Sequence, residues 1–419
     1  MTTPKTAASR AGYPGGRRRT LGIILAGGRG ERLHPLTRER SKPAVPFGGK
    51  YRIVDFVLSN FVNSNVFSLY ILVQYKSQSL IDHLRHAWRA SGVHEDHFIL
   101  VVPPQMRWGD SWYRGTADAV YQNLNLIRDY GPSLVAIFGA DHIYRMDISQ
   151  MVEFHLDCEA DVTVAALPVP LDRASGLGIV EADDEGRVLG FEEKPLEPKT
   201  MAGRPTHALG SMGNYVFNAD LLVQTLIENA RQDTDHDFGR TVIPSMVAHQ
   251  RVFAYDFHAN RIPGVRDYEE PGYWRDVGTI EAYWNAHMDL LGTEPRLDLA
   301  NHLWPIMGAP YPGPPARIVH GDVTDSLVGE GSIVSGGRIR RSILGRGVRV
   351  EADVEIEESI VMDFTIVRRG SRLRRTIVDR FNTIEPGTWI GFDADVDAAH
   401  YHVDRSGIVV LGRGATRAL

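Results

Sequence analysis

Cysteine is almost absent from this chain: Cys158 stands alone among 419 residues. No intrachain disulfide can form, and a reducing, cytoplasmic setting is expected. Long hydrophobic runs are missing too. Nothing approaches the roughly 20 apolar residues that span a bilayer, so no membrane partner is expected. A surplus of positive charge is also lacking; the net charge of −6 gives no global pull toward nucleic acid. Acidic residues are missing from the first 20 positions, where Lys5, Arg10, Arg17, Arg18 and Arg19 lend a transit-peptide composition. That stretch has no apolar segment, which excludes a secretory signal, and residues 1–19 read as a disordered basic tail. What remains is the mix of an ordinary globular protein, 43% hydrophobic and 23% charged, long enough for two or three domains.

Residues 20–25 form a continuous apolar run suited to a buried parallel strand. Further strands are expected at 69–73, 134–138, 162–167 and 215–217. Helical patterns lie between them, as at 116–129, where Val120, Leu124 and Ile127 recur at helical spacing behind Thr116 as N-cap. Such alternation implies a mainly parallel, Rossmann-like α/β domain over residues 20–295, with ligands at the carboxyl ends of its strands. Prolines at 305, 310, 312, 314 and 315 mark residues 296–315 as a linker. Beyond it a repeat takes over. Ser326-Leu-Val, Ser342-Ile-Leu, Ser359-Ile-Val and Thr376-Ile-Val recur at spacings of 16, 17 and 17. Apolar residues also fall six apart, at Leu327, Ile333 and Ile339, then at Val348, Val354, Ile360 and Ile366. Three six-residue strands per turn make a hexapeptide-repeat, left-handed parallel β-helix over residues 316–419. Stacked antiparallel hairpins would show tighter two-residue turns, and a β-sandwich would not hold the six-residue spacing.

Chemistry concentrates first in Leu25-Ala-Gly-Gly-Arg-Gly-Glu-Arg-Leu33, directly after the first strand and at the expected start of a helix. Leu25 and Ala26 lead into Gly27, Gly28 and Gly30, which permit positive φ and let backbone N–H groups approach an anion. Arg29 and Arg32 add charge-assisted donors. No Gly-x-x-x-x-Gly-Lys-Ser/Thr string is present, which excludes a Walker A loop. Leu33 stands where a dinucleotide fingerprint needs its third glycine. The loop therefore reads as a phosphate site, the plainer alternative being a structural turn with surface arginines. Lys42 precedes Pro43, which should hold it extended and let it reach toward a triphosphate; a solvated lysine is the alternative. Asp141 follows the strand at 134–138, where a carboxylate can hold Mg²⁺ beside substrate phosphates. An N-cap role is the alternative for Asp141 and for Asp276. His142 is left to packing, since Mg²⁺ avoids imidazole, and residues 233–237 read as a solvated loop.

Several further blocks accompany this loop: residues 41–60, Trp112-Tyr-Arg-Gly-Thr-Ala-Asp-Ala119, Gly139-Ala-Asp-His-Ile-Tyr144, Phe191-Glu-Glu-Lys-Pro195 and Tyr273-Trp-Arg-Asp-Val-Gly-Thr279. Together they resemble the bacterial glucose-1-phosphate adenylyltransferases (ADP-glucose pyrophosphorylases), over roughly residues 20 to 415. The resemblance implies ATP and glucose 1-phosphate as substrates, with ADP-glucose supplied for glycogen or another α-glucan. It implies that Asp141 and Asp276 share Mg²⁺ near the α-phosphate, with Gly115 and Thr116 joining the nucleotide site. By the same resemblance Lys194 grips the sugar phosphate and Glu193 the sugar hydroxyls, beside Tyr113, Gly178, Ser211, Tyr215 and Trp274. Without it, residues 192–194 would read as a surface charge cluster.

The resemblance also implies a homotetramer and an effector site between the two domains. Anionic glycolytic intermediates would bind there, opposed by AMP, ADP or phosphate, with Arg40 and Arg52 contributing. Glu39 and Pro46 stand where enteric members carry lysine and histidine, so fructose 6-phosphate or pyruvate is expected before fructose 1,6-bisphosphate. The ten arginines between Arg338 and Arg375 belong either to that site or to a solvated outer face. A thymidylyl- or uridylyltransferase is the alternative enzyme. A silent regulatory subunit is disfavoured by the joint presence of Arg29, Arg32, Lys42, Asp141, Lys194 and Asp276. A hexapeptide acyltransferase is disfavoured because no histidine lies between Leu327 and Ile390.

Overall fold

A computed structural model describes residues 19–88, 97–105 and 112–415; residues 1–18 of the expected tail lie outside them. Thr20–Ala26 is an interior strand of a sheet with nine strands among the described residues, pairing in parallel with Leu134–Gly139 on one side and Ser68–Val73 on the other. Its apolar run is continuous because both faces are covered: Ile24 packs into one hydrophobic cluster and Ile23 into another. Phe98–Val102 extends the parallel half. The other half turns antiparallel around His207–Asn218, which pairs with Leu134–Gly139 and Val162–Pro170. Only the end of this strand was legible in sequence, since glycines and polar residues interrupt its β-pattern. The interruption has a purpose: the register shifts between Ser211 and Tyr215, around Gly213 at φ 70°, a bulge of the kind that re-aims side chains.

The helix expected at 116–129 is two short helices, Thr116–Tyr121 and Leu124–Tyr130. Gly115, not Thr116, is the N-cap. The Thr116 hydroxyl instead donates to Asp237 at 2.9 Å and accepts from the Phe238 N–H at 3.0 Å, so tertiary partners have claimed the group that would cap the helix. Asn123 donates to the Ala119 carbonyl at 2.8 Å where the first helix ends.

From Arg317 onward the chain coils into stacked parallel strands that form three faces. One face registers Leu327, Ile343 and Ile360 against one another, then Ile377. The other two stack Ile333, Arg349 and Ile366, and Arg338, Glu355 and Arg372. The Ser/Thr repeat has a hydrogen-bonding reason. Ser326 accepts from the Ser342 N–H, Ser342 from the Ser359 N–H, and Ser359 from the Thr376 N–H, each at 3.1 Å. These hydroxyls form a ladder that satisfies donors at a buried corner. The helix Ala394–His400, capped by Asp393, closes the end of the coil.

The two parts share a core. One cluster joins Leu36, Phe47, Ile280 and Tyr283 of the first part to Ile343, Ile360, Ile377 and Ile408 of the coil. Each such aliphatic side chain contributes about 1.5–3 kcal/mol on full burial. Polar contacts pin the seam: the Arg40 guanidinium pairs with Asp379, and Trp284 Nε1 donates to the Glu358 carbonyl at 2.9 Å. The proline-rich stretch is a packed strap, with Leu297, Trp304 and Ile306 buried and the Met307 N–H donating to Ser59 at 2.8 Å. Among the described residues no helix is long and apolar enough to cross a membrane. The hydroxyl ladder gives a direct test. Ser359→Ala leaves the buried Thr376 N–H without its acceptor and should cost about 1–3 kcal/mol, read as a lower denaturation midpoint at unchanged denaturant slope.

Candidate active site

A cavity of about 760 Å³ opens where the parallel strands end. Its floor is the glycine-arginine loop. Leu25, Gly27, Gly28, Gly30 and Arg32 line it, and Arg29 stands at the rim with 74% of its side chain exposed. Ala26 turns into the core instead. The loop does not open an α-helix; it makes one 3₁₀ turn, Glu31–Leu33, after Gly30 at φ 65°. Pro35, which has no N–H to continue a helical ladder, ends it. What the loop presents to the cavity is therefore its own backbone and arginines rather than the end of a long helix.

Lys42 is not extended. It starts a 3₁₀ turn, Lys42–Ala44, and Ser41 takes the extended conformation in its place. The side chain is buried, and Nζ donates to Asp141 Oδ2 at 3.0 Å and to Asp276 Oδ1 at 2.8 Å. Burial alone would pull this ammonium down, but the two carboxylates raise it above its ordinary value. Burial likewise pushes the Asp141 carboxyl up, and Lys42 with His142 overrides it and holds the group well below the usual carboxylate range.

Asp141 and Asp276 meet because His142–Tyr144 pairs antiparallel with Trp274–Asp276, placing His142 opposite Asp276. Neither aspartate caps a helix; Thr279 caps the one that follows Asp276. Arg275, just before Asp276 in the strand, donates to Glu270 at 2.6 and 2.8 Å and to Asp289 at 3.0 Å, and lies over the Tyr273 ring. That network anchors the strand that carries Asp276. Donor atoms of Asp141, His142 and Asp276 lie within 4.8 Å of one another. The two carboxylates fit a hard, oxygen-preferring divalent cation. The His142 ring lies against Trp274 at 4.8 Å between ring centroids, tilted by 51°.

The far wall gathers the residues that the resemblance assigns to the sugar. Tyr113, Gly178, Glu193, Lys194, Ser211, Tyr215 and Trp274 all line the cavity, as do Gly115 and Thr116. Glu193 is threaded between two glycines: a Cβ at Gly178 would lie 2.8 Å from its Oε2, and one at Gly239 only 2.5 Å. Lys194 sits at φ 53°, left-handed for a lysine, and its Nζ is 3.0 Å from Glu193 Oε1. Burial pushes the Tyr215 hydroxyl up, so it stays protonated. Of the segment read as a solvated loop, Asp233 and Asp235 are exposed as expected, whereas His236 and Asp237 are built into the structure behind this wall. His236 is buried, and its carbonyl accepts from the Ala117 and Asp118 N–H groups. Asp237 lines the cavity and caps the next turn through the Gly239 and Arg240 N–H groups. Three acids in five residues signalled charge and not burial, which is why sequence alone missed it. Gln74 and Met212, also on the wall, carried no sequence signal.

Arg40 and Arg52 stand outside this cavity, at the seam with the coil. Arg52 Nη1 donates to the Ala44 carbonyl at 3.2 Å, and Nη2 is 3.9 Å from Asp363. Arg380 joins them; burial, then Arg52 and Arg40, pull its guanidinium down to about 9. Arg40 Nη1 and Arg380 Nε are buried without a hydrogen-bond partner.

The chain is similar to known families and proteins along most of its length. The family described as Nucleotidyl transferase matches residues 21–293, and the GlmU-like, C-terminal hexapeptide family matches residues 314–411. A glucose-1-phosphate adenylyltransferase of Thermodesulfovibrio yellowstonii is 54% identical over 398 residues, covering 95% of this chain and 97% of its own. One from an Anaeromyxobacter species is 50% identical over 401 residues, covering 93% and 97%. A third, from Vibrio parahaemolyticus, is 50% identical over 94% and 98%.

The wall at 235–237 yields a test of its own. A Cβ at Gly115 would lie 2.3 Å from the Asp235 carbonyl oxygen and 2.4 Å from that of His236, distances that force backbone to move. Gly115→Ala should therefore lower the melting temperature by several degrees, and thermal denaturation checks it.

Proposed function

The chain belongs to the glucose-1-phosphate adenylyltransferase family, and on that premise we propose how its own residues carry out the reaction. ATP and α-D-glucose 1-phosphate give ADP-glucose and diphosphate, a nucleotidyl transfer that supplies ADP-glucose for glycogen or related α-glucan synthesis. A single observation carries the reading: one cavity joins the glycine-arginine loop, the Asp141–Lys42–Asp276 bridge and the Glu193–Lys194 pair.

The attacking oxygen of glucose 1-phosphate is already an anion, so no general base is needed. Glu193, Ser211 and Trp274 hold the sugar, and Lys194 holds its phosphate facing the α-phosphorus of ATP. Gly27, Gly28, Gly30, Arg29 and Arg32 hold the triphosphate, so that diphosphate leaves in line. Asp141 and Asp276 would hold Mg²⁺, which supplies charge neutralisation of the phosphate oxygens. Positioning and charge do most of the work, as in other phosphoryl and nucleotidyl transfers. The setting is cytoplasmic.

The α/β part, residues 20–295, is the catalytic domain, and the coil from 316 serves regulation and assembly into a homotetramer. Anionic effectors, fructose 6-phosphate or pyruvate before fructose 1,6-bisphosphate, bind at Arg40 and Arg52, opposed by AMP, ADP or phosphate. What supports this site is the buried, part-unpaired cluster of Arg40, Arg52 and Arg380. Assays of the purified enzyme with each effector alone should show activation by fructose 6-phosphate or pyruvate; strong activation by the bisphosphate alone refutes that order.

Two variants separate the roles within the cavity. Asp141→Ala should lower kcat by about two orders of magnitude or more with modest change in KM; near-normal turnover removes Asp141 from the metal site. Lys194→Ala should raise KM for glucose 1-phosphate selectively. Diphosphate release with ATP, dTTP and UTP at fixed glucose 1-phosphate tests the nucleotide. ATP should dominate, and preference for dTTP or UTP would favour the alternative transferase.

A further inference from the structure

The Lys42 ammonium lies where a cation shared by Asp141 and Asp276 would lie, 3.0 Å from one carboxylate and 2.8 Å from the other. It has little freedom to withdraw. The side chain is 7% exposed, its backbone is fixed in the turn Lys42–Ala44, and a Cβ at Gly30 would lie 3.0 Å from the Lys42 Cβ. Among the described residues, these two aspartates are its ion-pair partners. Burial makes an ammonium stripped of such partners strongly unfavourable.

A divalent cation held by both carboxylates would press against Nζ at close range, where like charges repel steeply. Metal entry therefore requires the ammonium to move, and a moved ammonium requires another anion. The loop beside Lys42, at Gly30 and Arg32, is where the nucleotide phosphates would arrive.

We infer that Lys42 is an internal counter-ion that couples the two ligands: the divalent cation binds weakly by itself and tightly with the triphosphate that takes over the ammonium. The identity of the anion rests on the adenylyltransferase reading; the competition between Lys42 and the metal does not. Coupling of this kind is reciprocal, so the metal also tightens the nucleotide.

Mn²⁺ serves as the probe, with free ion measured by electron paramagnetic resonance on the full chain and no nucleotide present. Lys42→Met should bind Mn²⁺ about tenfold or more tightly than the wild type, a size typical of coupled sites. Lys42→Gln, which keeps hydrogen-bond donors but removes the charge, should tighten Mn²⁺ similarly and so guards against a misfolded first variant, with thermal denaturation confirming that each is folded. Binding as weak as the wild type in the folded variants overturns the inference. Because this measurement contains no nucleotide, it fails or succeeds independently of the ATP, dTTP and UTP comparison.

Discussion

Leu25 and Gly139 face each other across two parallel strands, and the Ala140 N–H donates to the Leu25 carbonyl at 3.1 Å. The glycine-arginine loop and Asp141 consequently leave the sheet side by side. This register depends on a run of residues apolar on both faces, because each face carries its own hydrophobic cluster. A slip by one residue would exchange the two faces and carry the loop away from Asp141. The remaining parts of the site hang on this pairing. The short strand with Asp276 docks on the one beginning at His142, and Lys42 closes the gap between the two carboxylates.

The second constraint is the seam between the sheet domain and the coil. A shared hydrophobic cluster and the Arg40–Asp379 pair make the two parts one packed body, with the strap at 297–307 bound along one side. Arg40 and Arg52 belong to this seam and lie in sequence on either side of Lys42 and its turn. An anion bound at the seam would act on the segment that also carries Lys42. Proximity in chain and space gives the effector reading a physical basis without a long pathway.

Much of this was legible from residue type and spacing. The strand at 20–25, the glycine-rich loop that turns away from it and the coil repeat each follow from a local pattern with a physical cause: two-sided burial, glycine geometry and a corner hydroxyl. What sequence did not show was set by tertiary contacts. Lys42 was expected to be extended toward phosphate, yet two carboxylates from distant segments claim its ammonium. Residues 233–237 looked solvated, yet His236 and Asp237 are folded against Gly115 and Thr116. The interval 116–129 keeps helical spacing but breaks at Asn123. The pairing of Asp141 with Asp276 spans 135 positions and came from family resemblance, not from spacing.

The central claim is that one cavity performs a single direct displacement at the α-phosphorus, with no nucleotide held covalently by the protein. The stereochemical course tests it most directly. With ATP made chiral by sulfur at the α-phosphorus, and glucose 1-phosphate as acceptor, the account predicts ADP-glucose of inverted configuration at that phosphorus. Retention of configuration would mean two displacements through a protein-bound nucleotide, and would contradict it.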